Sequence, residues 1–166
     1  MNPVGATTWC KLLFVYPGKQ NFAENFTLSG MYDKKIAIII KNDLLTWQKL
    51  NVTAFLASSV AIKFEETHGK PFVNASGSEY LPFIKHPILI YKADTGAELT
   101  RAFNRAKERE LHIGIYTNPL FSTKNEEGNH VEIARYTDDG QELAGIIIYG
   151  ENKKVDKALD GLKFHP

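Results

Sequence analysis

The stretch Ile36-Ala37-Ile38-Ile39-Ile40 is an unbroken apolar run in which every residue but one is β-branched. Branching at Cβ stiffens the side chain and favours extended backbone. A strand with one wet face alternates apolar and polar residues, and this one does not. It therefore has to be covered on both faces. Lys41-Asn42-Asp43 ends it with turn-prone residues. Covering both faces of a strand requires layers of structure above and below the sheet, which narrows the choice of fold more than any other feature of the chain.

The flanking segments can supply those layers. Residues 46–66 carry Trp47, Leu50, Ala54, Ala57 and Ala61 at helical spacing. Val52, Phe55, Leu56, Val60 and Phe64 widen that stripe until the middle is apolar nearly all round. The pattern predicts a helix buried on more than one side, stopped by Gly69. Residues 70–86 read as loop, with room for a short strand or a turn of helix. Residues 87–91 (Pro-Ile-Leu-Ile-Tyr) predict a second buried strand.

Thr95-Gly-Ala-Glu98 is a capping box that opens a helix running to about Glu110, with Leu99, Ala102, Phe103 and Ala106 inward. Its outer face carries Arg101, Arg105, Lys107, Glu108 and Arg109. That mixture of signs fits a solvated face laced with ion pairs better than a basic patch. Residues 111–117 predict a third strand. Thr123-Lys-Asn-Glu126 predicts a second capping box and a helix over residues 125–136, with Val131 and Ala134 inward. Residues 143–149 predict a fourth strand, in which Gly145 permits a close backbone approach. A helical turn over residues 155–159 leads to Gly161, and Leu162-Lys163-Phe164 closes the chain. The alternation predicts an α/β fold: a four-stranded mixed β-sheet with helices on both faces.

At 166 residues the chain suits one domain. Residues 1–30 show no period and contain Pro3, Gly5, Pro17 and Gly18, and Met31 stands directly before the first strong strand. Two readings stay open for them. They form a poorly structured N-terminal extension ahead of a single α/β domain over 31–166, or residues 12–16 add an edge strand to the sheet. Hydrophobic residues at 43% and charged residues at 23% fit a globular core rather than a disordered chain. Setting aside residues 1–30, with Lys11, Lys19 and Glu24, takes the net charge from +1 to zero. A neutral domain lacks the electrostatic footprint of a protein that grips a polyanion, so nucleic acid is not expected as a partner. No apolar run reaches the roughly 18 residues of a membrane span. The short apolar stretch at residues 12–16 lacks a small-residue cleavage site, so no signal peptide is expected. The single cysteine, Cys10, excludes an internal disulfide and fits a reducing compartment, which points to a cytoplasmic location.

The string Lys35-Ile-Ala-Ile-Ile-Ile-Lys-Asn-Asp-Leu44, followed by Trp47-Gln-Lys-Leu-Asn-Val-Thr-Ala-Phe-Leu-Ala57, resembles the opening of the DUF2000 family of uncharacterised proteins. The ending from Tyr149-Gly150 through Val155-Asp156-Lys157 to Gly161-Leu162-Lys163 fits it too. The resemblance spans about residues 33–164 and rests on the order of elements more than on a rare motif. It implies the fold of type-two peptidyl-tRNA hydrolases. Those enzymes carry a G-K-x-A-A-Q-x-x-H-A motif in their first helix. Lys49 matches the motif lysine, but Thr53 stands in the glutamine position and Leu56 in the histidine position. The acidic residue that they place after the third strand is replaced by Thr117-Asn118-Pro119. A shared fold does not carry the reaction across these departures.

Ligands of open α/β sheets bind outside the carboxyl ends of the strands. The residues expected there are Asp43, Lys49, Asn51 and Thr117 as candidates for chemistry, and Trp47 and Asn118 as candidates for ligand contact, with His130 on the third long helix as a further contact candidate. Asp43 beside Lys49 suits an acid/base pair, or a carboxylate that offsets a helix dipole. Asn51 on an otherwise apolar helix suits a ligand amide, or a buried amide that satisfies a loop. Trp47 suits stacking on a ring, or simply capping the core. The histidines show no zinc-ligand spacing, and no phosphate-binding glycine loop or nucleophile elbow is present. No metal or cofactor is expected. The first expectation is an unknown small molecule bound at the strand ends, by a binding protein or an unassigned enzyme. The others are a peptidyl-tRNA hydrolase-type esterase with an altered site, and a non-catalytic homodimeric interaction module.

Overall fold

The computed structural model describes residues 32–166. The two readings of residues 1–30 lie outside the described residues. The apolar run forms β1 (Lys34–Lys41), and residues 36–40 are buried to within 2% of complete. On one side β1 pairs in parallel with β4 (Ile88–Ala93), Ile38 opposite Ile90. On the other it pairs antiparallel with β6 (Leu143–Glu151), Ile38 opposite Ile147. β5 (His112–Thr117) runs antiparallel outside β6. β7 (Lys163–Phe164) runs antiparallel outside β4. The sheet is mixed and has five strands, in the order β5-β6-β1-β4-β7, rather than the expected four. The addition is the two-residue β7, too short to leave a periodic signature. Its Phe164 stacks on Tyr91 with ring centroids 4.5 Å apart. Within the expected loop, β2 (Phe72–Val73) and β3 (Glu79–Tyr80) form a separate hairpin. Asn74 closes its turn, accepting from the N–H groups of Ser76 and Ser78.

Helices cover both faces. α1 (Thr46–Lys63) lies on one, where Val52, Leu56 and Val60 meet Ile36, Ile38, Ile40 and Ile147. α2 (Gly96–Glu108) and α4 (Asn152–Leu159) lie on the other, where Leu99, Phe103, Val155 and Leu159 meet Ala37, Ile39, Ile146 and Ile148. The Thr95 capping box forms as expected: Glu98 N–H donates to Thr95 Oγ1 at 3.2 Å and Thr95 N–H to Glu98 Oε2 at 3.3 Å.

Two helix expectations need correction. α1 is buried on one side only, through the Val52, Leu56 and Val60 ridge at four-residue spacing, while Leu50 and Ile62 on its other apolar side are 67% and 82% exposed. α3 (Glu126–Ala134) is capped by Asn125, whose side chain accepts from Gly128 N–H, and not by a Thr123 box. Both Val131 and Ala134 are exposed, and no residue of α3 is buried. Its three apolar residues, Val131, Ile133 and Ala134, do not recur along a helix of under three turns to make a continuous stripe, so α3 stands away from the sheet.

Two irregularities shape the α1 face. Tyr116 sits opposite Gly145 but Thr117 opposite Leu143, so Ala144 is an extra residue in β6. The bulge swaps side-chain parity, which puts Ala144 and Ile147 in the α1 layer and Leu143 and Ile146 in the α2 layer. Glycine at 145 lets α1 settle close to β6, because a Cβ there would stand 2.7 Å from Val52 Cγ1 and 3.1 Å from the Ile39 carbonyl oxygen. Gly145→Ala is expected to lower stability by about 1–3 kcal/mol, through overpacking. Gly96→Ala, where a Cβ meets nothing within 4 Å in the first turn of α2, should leave stability equal or slightly higher. Urea denaturation of the two variants checks both signs.

Candidate functional site

The carboxyl ends of β1, β4 and β5 do meet at one rim, because these three strands point the same way. The polar groups of β1 and β4 there engage one another. Asn42 Nδ2 donates to Asp94 Oδ1 at 2.7 Å, and Lys92 Nζ to the same oxygen at 2.9 Å. These two bonds, Lys92 first, hold the Asp94 carboxyl below its ordinary range. Lys49 Nζ donates to Asn42 Oδ1 at 3.2 Å, and Asp43 pairs with Lys41 at 3.2 Å. Asp43 and Lys49 thus have separate partners.

The concave surface lies beside this rim, along the edge strand β5. A cavity of about 700 Å³ opens between α1, β5 and the wall formed by residues 120–129. The bulge stops β5 at Thr117. Asn118 N–H then donates to the Glu142 carbonyl at 2.8 Å, and Pro119 starts a 3-10 turn over Asn118–Ser122 that leads the chain out into that wall. Gly114 forms part of the floor. A Cβ there would meet Ile147 Cγ2 at 2.8 Å and Ser59 Oγ at 2.9 Å, so glycine is what allows α1 to lie this close to β5.

Four aromatic rings, Trp47, Phe55, Tyr116 and Phe121, cluster in the lining. Phe121 packs edge-on against Trp47 at 5.6 Å and tilts against Tyr116 at 5.0 Å, and Phe55 lies 6.0 Å from Tyr116. These are the distances of favourable ring pairs. Trp47 and Phe55 nevertheless remain 56% and 57% exposed, so the cluster keeps open ring surface. Tyr116 Oη donates to Asn51 Oδ1 at 3.0 Å. Burial pushes the Tyr116 phenol up, so it stays protonated and able to donate. With its oxygen engaged, the Asn51 amide keeps its NH2 group, which has no hydrogen-bond partner among the described residues. The lining hydroxyls are engaged: Ser59 donates to the Leu56 carbonyl at 2.7 Å, and Thr123 Oγ1 lies 2.8 Å from the Leu120 carbonyl and also contacts the Asn129 side chain. Lys124 and Glu126 bring one charge of each sign to the exposed margin.

Of the residues singled out from the sequence, Trp47 and Asn51 line this cavity. Asp43, Lys49, Thr117, Asn118 and His130 are not among its lining. Thr117 is buried at the bulge, and His130 is exposed on α3 with Glu126 at 3.8 Å. Tyr116, Phe121, Phe55 and Asn129 were not singled out. Tyr116 had a weak signal, as the last aromatic before a strand end. The placement of Phe121 and Asn129 depends on the path of the chain after Pro119. Among the described residues no group of three side chains is arranged to hold a metal ion, and no helix is long and apolar enough to cross a membrane.

Residues 34–166 match the family model described as "Protein of unknown function (DUF2000)". The chain belongs to the DUF2000 family. The match covers every element of the sheet, including β5 and the wall behind the cavity. A solved structure of a protein of unknown function from Agrobacterium tumefaciens is similar to this DUF2000 chain. The two are 33% identical with a TM-score of 0.79, over 82% of this chain and 100% of that one. No curated protein matches.

A second cluster lies at the opposite rim of the sheet, by the amino end of β1. Tyr149, fully buried, places its hydroxyl 3.3 Å from Glu66 Oε1, which also accepts from Lys34 Nζ at 3.0 Å. The lysine bond is the main cause holding the Glu66 carboxyl below its usual range. His86 packs between Tyr32 and Tyr149, with Nδ1 buried and unpartnered among the described residues. Burial first, and Lys85 second, push its imidazole below the ordinary value. The folded state thus holds His86 neutral, whereas the unfolded chain takes up a proton near about pH 6.5. The stability it contributes is complete above that pH and declines as pH falls from about 6.5 toward the folded-state value. Urea midpoints should therefore drop between about pH 7.5 and 5.5, with a shallower slope in His86→Phe. Equal slopes would show that another group governs the acid limb.

Proposed function

We propose that this DUF2000 domain is a binding protein for an uncharged ligand that presents a planar or apolar group and a hydrogen-bond acceptor to the cavity between α1, β5 and residues 120–129. The observation that carries this is the Asn51 amide, fixed by Tyr116 with its NH2 group unclaimed among open aromatic surfaces. An apolar cavity with a few oriented polar groups is the usual form of a ligand site. Opposite charges at the margin favour a ligand without net charge. Binding is favoured over catalysis because the lining hydroxyls of Ser59 and Thr123 meet backbone carbonyls and that of Tyr116 meets the Asn51 amide oxygen, rather than a base. The single cysteine supports a cytoplasmic setting.

The resemblance to type-two peptidyl-tRNA hydrolases supports a fold of that type, with α1 in the place of their motif helix. It does not support their reaction. Thr53, in the glutamine position, donates to the Lys49 carbonyl at 2.7 Å, and Leu56, in the histidine position, is a core residue.

Benzamide offers a ring and a carbonyl acceptor, and indole offers a ring without one. Both should perturb the Trp47 and Tyr116 resonances of the protein. Asn51→Leu should weaken benzamide about tenfold, the worth of one hydrogen bond, and leave indole unchanged. Equal loss of both, or binding of neither to the parent protein, would overturn the reading.

A further inference from the structure

Gly114, Ile115 and Tyr116 all line the cavity although they are consecutive in a strand. Gly114 and Tyr116 face α1, whereas Ile115 packs with the opposite layer. A cavity that touches all three reaches the margin of β5 itself, where alternate N–H and C=O groups point away from β6. Among the described residues no hydrogen bond reaches that outer side. The two margins of the sheet differ. β7 protects its side by being two residues long and carrying Lys163, but β5 is a six-residue strand, His112–Thr117, with no lysine, proline or bulge of its own to deter pairing. Unpaired strand backbone opening into an aromatic-lined cavity suits one ligand class, extended polypeptide, which brings both backbone partners and alternating side chains.

We propose that the ligand of this site is an extended peptide segment that adds to β5 as a sixth strand and places an uncharged side chain into the cavity between Trp47, Phe55, Tyr116 and Phe121. The inference rests on the cavity being the binding site. Strands pair about 4.8 Å apart, and their side chains alternate between faces. Every second side chain of the added strand therefore points to the α1 side, where Asn51 meets it with a free NH2 group. The wall from Leu120 to Asn129 and α1 both line this cavity of about 700 Å³ beside β5. The sheet edge of a second folded copy would bring its own α1 and its own wall into that space. A lone segment is therefore favoured over a homodimer joined through β5.

The probe is a pool of acetylated, amidated hexapeptides with threonine at alternate positions and uncharged apolar residues between them. A matched pool is N-methylated on alternate backbone nitrogens. The readout is amide hydrogen exchange in the full chain. The first pool should slow exchange of the outward amides of β5 roughly tenfold at ten times its dissociation constant. The methylated pool should bind at least about tenfold more weakly, and benzamide should displace the peptide. Failure of the first pool to bind at about 1 mM, or equal binding of both pools, would overturn the proposal. So would outward amides already protected in the free chain. Protection that grows with protein concentration would assign the edge to a second copy, and protection independent of concentration would assign it to the chain itself. Benzamide binding decides the cavity separately, so the peptide inference can fall while the ligand site stands.

Discussion

Burial of β1 on both faces is the constraint on which the rest of the structure depends. Its isoleucines reach into two separate apolar layers, Ile36, Ile38 and Ile40 toward α1, and Ile39 with Ala37 toward α2 and α4. Neither layer suffices alone, because a strand this apolar with one wet face would expose a continuous hydrophobic strip. Placing β1 at the centre, with β4 and β6 as neighbours, satisfies its backbone while the helices satisfy its side chains. The parallel β1–β4 pair then requires a crossover, which α1 and the hairpin segment provide, and the antiparallel β6 brings β5 to the margin.

The cavity follows from how α1 seats itself. Gly114 and Gly145 remove side chains where the helix would otherwise ride higher, so α1 lies low over β5 and β6. Trp47, Asn51 and Phe55 thereby come beside Tyr116. The bulge at Ala144 ends β5 and sends the chain into a 3-10 turn, and the short, weakly amphipathic α3 then stands off the sheet instead of closing over it. A close approach on one side and a standing-off on the other leave a hollow between them. Its polarity is set by one contact, the Tyr116 hydroxyl on the Asn51 oxygen, which engages the acceptor end of the amide and leaves its NH2 as the donor.

Much of this was legible in the residues. The isoleucine run, the Thr95 box and the strand at residues 143–149 carry strong local signals, because burial on both faces and helix capping are short-range demands written in adjacent positions. Asn51 stood out as a lone amide in an apolar helix. Trp47 stood out too, with core packing as its simpler reading. The box at Thr123 did not form, because Asn125 offers a capping oxygen two residues later and Thr123 turns to Leu120 and Asn129 instead. The burial of α1 was misjudged because an apolar residue declares its preference but not whether a neighbour arrives to meet it. Leu50 and Phe55 look as buried in the sequence as Val52 and Val60, yet both are exposed.

By itself the amino-acid sequence determined the class of fold, the central strand and the helices that cover it, since each follows from periodicity and capping within a few residues. Only the tertiary structure decided which rim is hollow. The polar groups at the ends of β1 and β4 neutralise one another once those strands lie side by side. The cavity forms one strand-pair away, where residues far apart in the chain, Asn51 and Tyr116, are brought within hydrogen-bonding distance. Contacts between positions sixty-five residues apart depend on the packing of whole layers, and no local pattern in the chain records them.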